Sequence, residues 1–166
     1  MTVKDVNFMH IEIVHPDPEA AAKFMIEVFG AEPCESVIEA GIAAGCQTSC
    51  KHVKMGGVVF QFIAPGGIMP DSWKNTMESN GPCVHNICLI TDNVNELSKD
   101  ILSRGAKLIQ DITAVGFPIN ILNPEAGDLK GDGSQIDATE QCGLRFELLS
   151  DSMLPYWPVT TKDNFK

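Results

Sequence analysis

The chain has 166 residues, the length of one compact domain, and its 44% hydrophobic and 20% charged composition suffices for a packed core. With 12 basic against 22 acidic residues the net charge is −10, which repels phosphate backbones and excludes nucleic acid as an expected partner. No window approaches the roughly 18 apolar residues of a membrane span, and MTVKDVNFMHIEIV has no apolar leader, so a cytoplasmic protein with reduced cysteines is expected.

The first element is HIEIV, starting at His10. Its alternation puts Ile11 and Ile13 on one face and His10, Glu12 and Val14 on the other. Asp17 is placed to cap a helix, Pro18 suits its first position, and Ala21, Phe24, Met25 and Val28 recur on one helical face. Gly30 supplies a left-handed stop. Strands are expected near 35–43 and 47–55. Between them, Cys46-Gln-Thr-Ser-Cys50-Lys-His52 fits no standard zinc spacing and reads as packed thiols. The turn Gly56-Gly57 leads into VVFQFI, where Phe60 and Phe62 face out and Gln61 faces in.

After a linker over 66–82 the pattern starts again. NICLITDNVNELSKDILSRGAKL, from Asn86, repeats HIEIVHPDPEAAAKFMIEVFGAE, from His10. Ile87 and Leu89 take one face of the strand, and Asn86, Cys88 and Ile90 the other. Asn93 caps the second helix with Glu96 three residues on, Leu97 and Ile101 point inward, and Gly105 ends it. Strands are expected near 107–114 and 117–122. The segment 123–143 is polar and rich in Gly and Asp, so a loop is expected. It holds Asp128, Asp132 and Asp137, but Lys130 breaks any calcium-loop pattern. In the closing LRFELL, Phe146 and Leu148 leave Glu147 facing in. The expected fold is α+β: two tandem βαβββ modules, about 8–65 and 83–150, as curved sheets around a shared cleft. They form a single domain over 1–166, ending in a tail, 151–166. The Pro155-Tyr156-Trp157-Pro158 stretch of that tail would cover the cleft or a subunit contact, or form a loosely ordered terminus. Too few helices are present for the crossovers of a doubly wound parallel sheet.

The repeat aims four polar groups at one cleft: His10, Gln61, Asn86 and Glu147. Such a set suits Zn, Mn, Fe, Co or Ni. A one-residue bulge could instead turn His85 inward as the alternative ligand. An inward Glu147 in an apolar strand is costly unless paired or metal-bound. Glu12 also points into the cleft and is an acid/base candidate.

The segments HIEIVHPDPEAAAKF, FGAE, FQFIAP, GPCVHNICLITDNV, SRGAKL and FELL give the chain a family likeness. It resembles the vicinal oxygen chelate superfamily, whose members include glyoxalase I, extradiol dioxygenases and bleomycin-binding proteins, and is most similar to methylmalonyl-CoA epimerases. The resemblance implies a divalent metal held at the positions of His10, Gln61, Asn86 and Glu147. Asn86 stands where the family has His. The slot of the family's middle-strand carboxylate base falls near Gly45, with Glu39 and His52 the nearest titratable groups. It further implies a homodimeric isomerase, epimerase or lyase acting on a small hydroxy- or oxo-acid or its thioester through an enolate-type intermediate. Glu147, Glu12 and His10 would be its catalytic groups. The alternatives are a metal-free enzyme of the same fold using those acid/base residues, a binder of aromatic or antibiotic molecules, or an extradiol-type dioxygenase.

Overall fold

A computed structural model describes residues 6–34, 39, 42–43, 46–67, 71–111, 117–118, 130–131 and 133–151. The first module contains β1 (Val6–Val14), α1 (Pro18–Phe29), β2 (Glu32–Pro33), β3 (Cys50–Met55) and β4 (Val58–Ile63). The linker carries a helix, α2 (Asp71–Asn80). The second module contains β5 (Cys83–Thr91), α3 (Val94–Ser103), β6 (Lys107–Asp111), β9 (Gly133–Ala138), the short α4 (Thr139–Cys142) and β10 (Leu144–Ser150). Between β6 and β9, β7 (Phe117–Pro118) and β8 (Lys130–Gly131) form a separate two-stranded ribbon.

One eight-stranded sheet runs in the order β2-β3-β4-β1-β5-β10-β9-β6. The order is symmetric about its centre. β1 lies parallel to β4 and β10 parallel to β5, while β1 and β5 meet antiparallel. The repeat in the sequence is thus a repeat in space, with the two opening strands joined at the axis.

Local chemistry sets these elements. The Asp17 side chain accepts from the Ala20 amide at 2.9 Å, and Gly30 closes α1 at φ 68°. Asn93 caps α3 by accepting from the Glu96 amide at 3.1 Å. Gly56 and Gly57, at φ 58° and 82°, form a two-residue hairpin turn that only positive φ at both positions allows. Asp17→Ala is expected to cost about 1 kcal/mol of stability. Urea unfolding checks this, and an unchanged midpoint would contradict it.

The two helices cover the convex face. Under α1, Ala22, Ala31, Val53 and Phe62 form a core with Ile13, Ala21, Met25, Ile26 and Phe60. Under α3, Val94, Leu97, Ile136 and Leu148 pack with Leu89, Ile101 and Phe146. The outward phenylalanines and Leu148 therefore lie as the alternation requires. The contact face of α1 is rotated from the expected one. The expected Ala21 and Met25 are joined there by Ala22 and Ile26, while Phe24 and Val28 are 56% and 58% exposed. The small Ala21–Ala22 pair lets the helix approach the sheet closely, and Phe24 turns out to meet Phe29 edge-on at 5.7 Å.

Two expected strand positions are corrected. Of the strand expected near 117–122, Phe117–Pro118 pairs outside the main sheet and 119–122 lie outside the described residues, while the strand beside β10 is β9, inside the segment read as a loop. Gly, Ser and Asp disfavour a strand intrinsically, but pairing on both sides overrides that preference. Ile136 is fully buried and Ser134 bonds Ser98 of α3 at 2.7 Å. Near 35–43 no described residue is in a strand: Glu39, Ile42 and Ala43 are helical, β2 comes earlier, at Glu32–Pro33, and 35–38 and 40–41 lie outside the described residues. So do Asp128, Asp132 and the 152–166 tail. Among the described residues no helix is long and apolar enough to cross a membrane.

Candidate active site and metal centre

Strand register arranges the concave face in two rows. In one, His52, Gln61, Glu12 and Asn86 are successive Cα partners across β3, β4, β1 and β5. In the other, Val59, His10, Cys88, Glu147 and Gln135 follow across β4, β1, β5, β10 and β9. All four expected ligands face the concave side, but their side chains divide into separate groups.

The second row brings His10 and Glu147 together, Nε2 to Oε2 at 3.8 Å, one from each module. The Cys88 thiol sits with them, and the three ligand atoms lie within 4.8 Å of one another. Burial drives the His10 imidazole down to about 3, with the nearby His52 charge adding to it. Burial, then the charge of Glu12, lifts the Glu147 carboxyl to about 8, although 17% of that side chain stays exposed. Burial also pushes the Cys88 thiol well above its usual range.

The first row turns on Glu12. Its Oε1 accepts from Trp73 Nε1 at 2.6 Å and from Asn86 Nδ2 at 2.9 Å, and lies 3.1 Å from His85 Nδ1. The bulge weighed for His85 is present. The β1–β5 register passes from Glu12↔Asn86 to Ile13↔Val84, leaving His85 as the extra residue. Both His85 and Asn86 are therefore buried, at 3% and 2% exposure. The Trp73 indole stacks on the His85 ring at 4.5 Å. Trp73 comes from α2, so the linker helix closes the first module's side of the cleft. It packs there with Met9, Val14, Ile42, Ile63 and Cys88.

Gln61 turns away to β3, where its Nε2 lies 2.8 Å from His52 Nε2. With that amide donating, the His52 proton sits on Nδ1, 3.4 Å from Glu39 Oε1. Glu39 also accepts the His52 backbone N–H at 2.7 Å. Burial alone would lift the Glu39 carboxyl, but the His52 bonds and the Lys51 charge hold it below its usual value. The pair with no clean alignment in the sequence is thus one carboxylate–imidazole unit, with His52 buried and Glu39 half-buried. Among the described residues Cys46, Cys50 and His52 are not gathered as a metal-ligating group; Cys50 Sγ lies 3.9 Å from His52 Nδ1, inside the core. Trp73 was not expected in the site at all. The only mark it leaves in the sequence is a lone aromatic in a polar segment.

The donor set fits a divalent ion. His10 and Glu147 already approach within 3.8 Å, and the buried Asn86 Oδ1 makes no hydrogen bond among the described residues. A groove of about 380 Å³ lies beside Asn86, walled by His85, Asn86, Thr76, Asn80 and Arg145, and neither His10 nor Glu147 lines it. Arg145 bonds Thr76 at 2.7 Å and faces Asp137 at 3.6 Å, which places Asp137 in an ion pair and not in a calcium loop.

The shifts give a pH signature for the metal-free chain. Glu147 holds its proton in the folded state from 4.5 up to about 8, so its contribution to stability falls as pH rises through that window. His10, lowered from 6.5 to about 3, works the other way: its contribution is complete above 6.5 and is lost as pH falls towards 3. The two oppose each other between 4.5 and 6.5, and above that Glu147 acts alone. Raising pH from 6.5 to 8 should cost on the order of 1–2 kcal/mol in urea unfolding. Glu147→Gln should remove that fall. An equal fall in the variant would assign it elsewhere.

Comparison with known proteins agrees with this fold. A profile of the glyoxalase/bleomycin resistance protein/dioxygenase superfamily matches residues 9–120. No curated protein sequence matches the chain. Among solved structures, a hypothetical protein from Bacillus halodurans aligns with TM-score 0.59 at 11% identity, covering 89% of this chain and 96% of its own. Methylmalonyl-CoA epimerase from Mycobacterium tuberculosis aligns with TM-score 0.56 at 14% identity, covering 86% of each chain. The Streptomyces coelicolor epimerase in complex with 2-nitronate-propionyl-CoA gives 0.56 at 17% identity, covering 87% of this chain and 93% of its own. At these identities the likeness is one of fold.

Proposed function

The chain belongs to the glyoxalase/bleomycin resistance protein/dioxygenase superfamily, and from that premise we propose that it is a metal-dependent isomerase, epimerase or lyase. Its substrate would be a small hydroxy- or oxo-acid or the thioester of one. The observation that carries this reading is the approach of His10 and Glu147, from opposite modules, to 3.8 Å at the centre of one buried row. These two residues would hold the ion, with the amide groups of Asn86 and Gln61 in the adjoining row. A bound divalent ion supplies Lewis acidity at two neighbouring substrate oxygens.

The chain's own residues would do the rest. His52 is the base we assign to the middle strand: Glu39 orients it from the Nδ1 side, and its Nε2 faces the cleft at Gln61. It would take the proton from the carbon next to the substrate carbonyl. Glu12 would act by position, through the three groups gathered on its Oε1. The groove beside Asn86 carries Arg145, a cation suited to the carboxylate or phosphate end of an acid or thioester. The epimerase neighbours act on methylmalonyl-CoA, so that thioester heads the substrate panel. The reading also expects a cytoplasmic homodimer.

The test is exchange of the substrate α-hydrogen with deuterated water, followed by NMR over a panel of 2-methyl and 2-oxo acids and thioesters. Exchange that is lost on metal stripping and restored by one divalent ion per chain is the expected result. Full exchange in the stripped protein would instead favour the metal-free reading. That alternative has a specific observation behind it, because Asn86 and Gln61 are already bonded to Glu12 and His52.

A further inference from the structure

The ion's third protein ligand is open in the reading above, because Asn86 stands in the family's histidine position and its Nδ2 donates to Glu12. Gln61 is engaged with His52. Neither amide lies in the row that holds His10 and Glu147. Cys88 does. It is the Cα partner of His10 across β1–β5 and of Glu147 across β5–β10, so it sits between them on adjacent strands.

We propose that the metal centre takes its third protein ligand from the row of His10 and Glu147 and is built by His10 Nε2, Cys88 Sγ and a Glu147 carboxylate oxygen, with zinc as the ion it takes. This rests on the proposed metal dependence. The ligand atoms lie within 4.8 Å of one another, and the His10–Glu147 pair is at 3.8 Å. Ligands at about 2.0–2.3 Å from a tetrahedral zinc stand roughly 3.3–3.8 Å apart. Closing the set from within 4.8 Å needs the ligand atoms to draw together by about 1 Å. Cys88 gives up a weak contact, its thiol donating to Met9 Sδ at 3.5 Å, and exchanges its hydrogen bond with Glu147 for a shared ion. On binding, the thiol proton passes to solvent and the thiolate becomes the ligand.

The chemistry of the set selects the ion. A thiolate with an imidazole and a carboxylate suits zinc, and suits manganese or magnesium poorly. Three protein ligands leave the fourth position open, which is the pattern of a catalytic zinc site and not of a structural one. That choice of ligand also gives Asn86 a new role. Its Oδ1, no longer needed by the ion, faces the substrate groove as an acceptor.

The experiment is titration of the full metal-free chain with Co(II), a spectroscopic substitute for zinc. The wild type should show a near-ultraviolet sulfur-to-cobalt charge-transfer band. Cys88→Ala should lose the band and bind Co(II) at least about tenfold more weakly. Asn86→Ala and Cys142→Ala, which removes an exposed thiol, should keep it. If the alanine variant does not fold, Cys88→Ser preserves the volume and should also lose the band. Zinc-edge X-ray absorption on the wild type should find one sulfur at about 2.3 Å. Co(II) bound without a sulfur band, or a band that survives loss of Cys88, overturns this assignment and leaves metal dependence standing. A wild type that binds no Co(II) overturns both.

Discussion

Trp73→Ala is expected to cost about 3–5 kcal/mol of folding stability. Trp73 is 3% exposed and is the anchor of α2 in the concave core. Truncation removes the indole from among Met9, Ile42 and Ile63, strips the His85 ring of its stacking partner, and takes the shortest of three contacts from Glu12 Oε1. The penalty therefore combines a cavity with a lost buried hydrogen bond. Trp73→Phe separates the two, since it keeps most of the volume and loses only the donor, for about 1–3 kcal/mol. Urea unfolding of both variants is the measurement. A loss below about 1 kcal/mol for Trp73→Ala would mean that α2 does not close the cleft.

Glu12→Ala is expected to be comparably damaging, at about 3–5 kcal/mol. Glu12 is 3% exposed, and its removal leaves the Trp73 and Asn86 donors and His85 Nδ1 facing an empty buried site. Because Trp73 and Glu12 share one hydrogen bond, the double variant should fall short of the sum of the singles by 1 kcal/mol or more in a double-mutant cycle. Strict additivity would dissolve the network. A polar cluster this closely tied explains why Asn86 suits its position. Asn offers a donor to the carboxylate and still presents an oxygen to the cleft.

The framework was legible because it is written in short-range periodicity. Alternation in HIEIV and NICLI, the caps at Asp17 and Asn93, and the stop at Gly30 each depend on residues within a few positions. The doubling then fixed which strands correspond. The same alternation put Phe60, Phe62, Phe146 and Leu148 against the helices and Gln61 and Glu147 opposite them. β9 was hidden because its strand character comes from its neighbours, with Ile136 the only strongly apolar residue in GSQIDA.

The site was half legible. Face and row follow from parity, so the inward set could be named, and Cys88 with it. The direction in which each polar side chain turns is a matter of long-range partners. Trp73 reaches Glu12 across 61 positions and His85 reaches it across 73. No local pattern encodes those encounters. The linker helix that delivers Trp73 is polar apart from Trp73 and Met77, so little announced that it would pack into the concave core of the sheet.

The fold matters to the chemistry through one property: it sets residues from two distant halves side by side in a dry place. His10 and Glu147 are 137 positions apart in sequence, and strand pairing through β5 makes them neighbours. Crystals of the zinc-loaded chain, with anomalous differences measured at the zinc edge, put this to the most direct test. The expected map has one strong peak within bonding distance of His10 Nε2 and a Glu147 oxygen. A map with no peak there, or with His10 and Glu147 directed apart, would contradict the account.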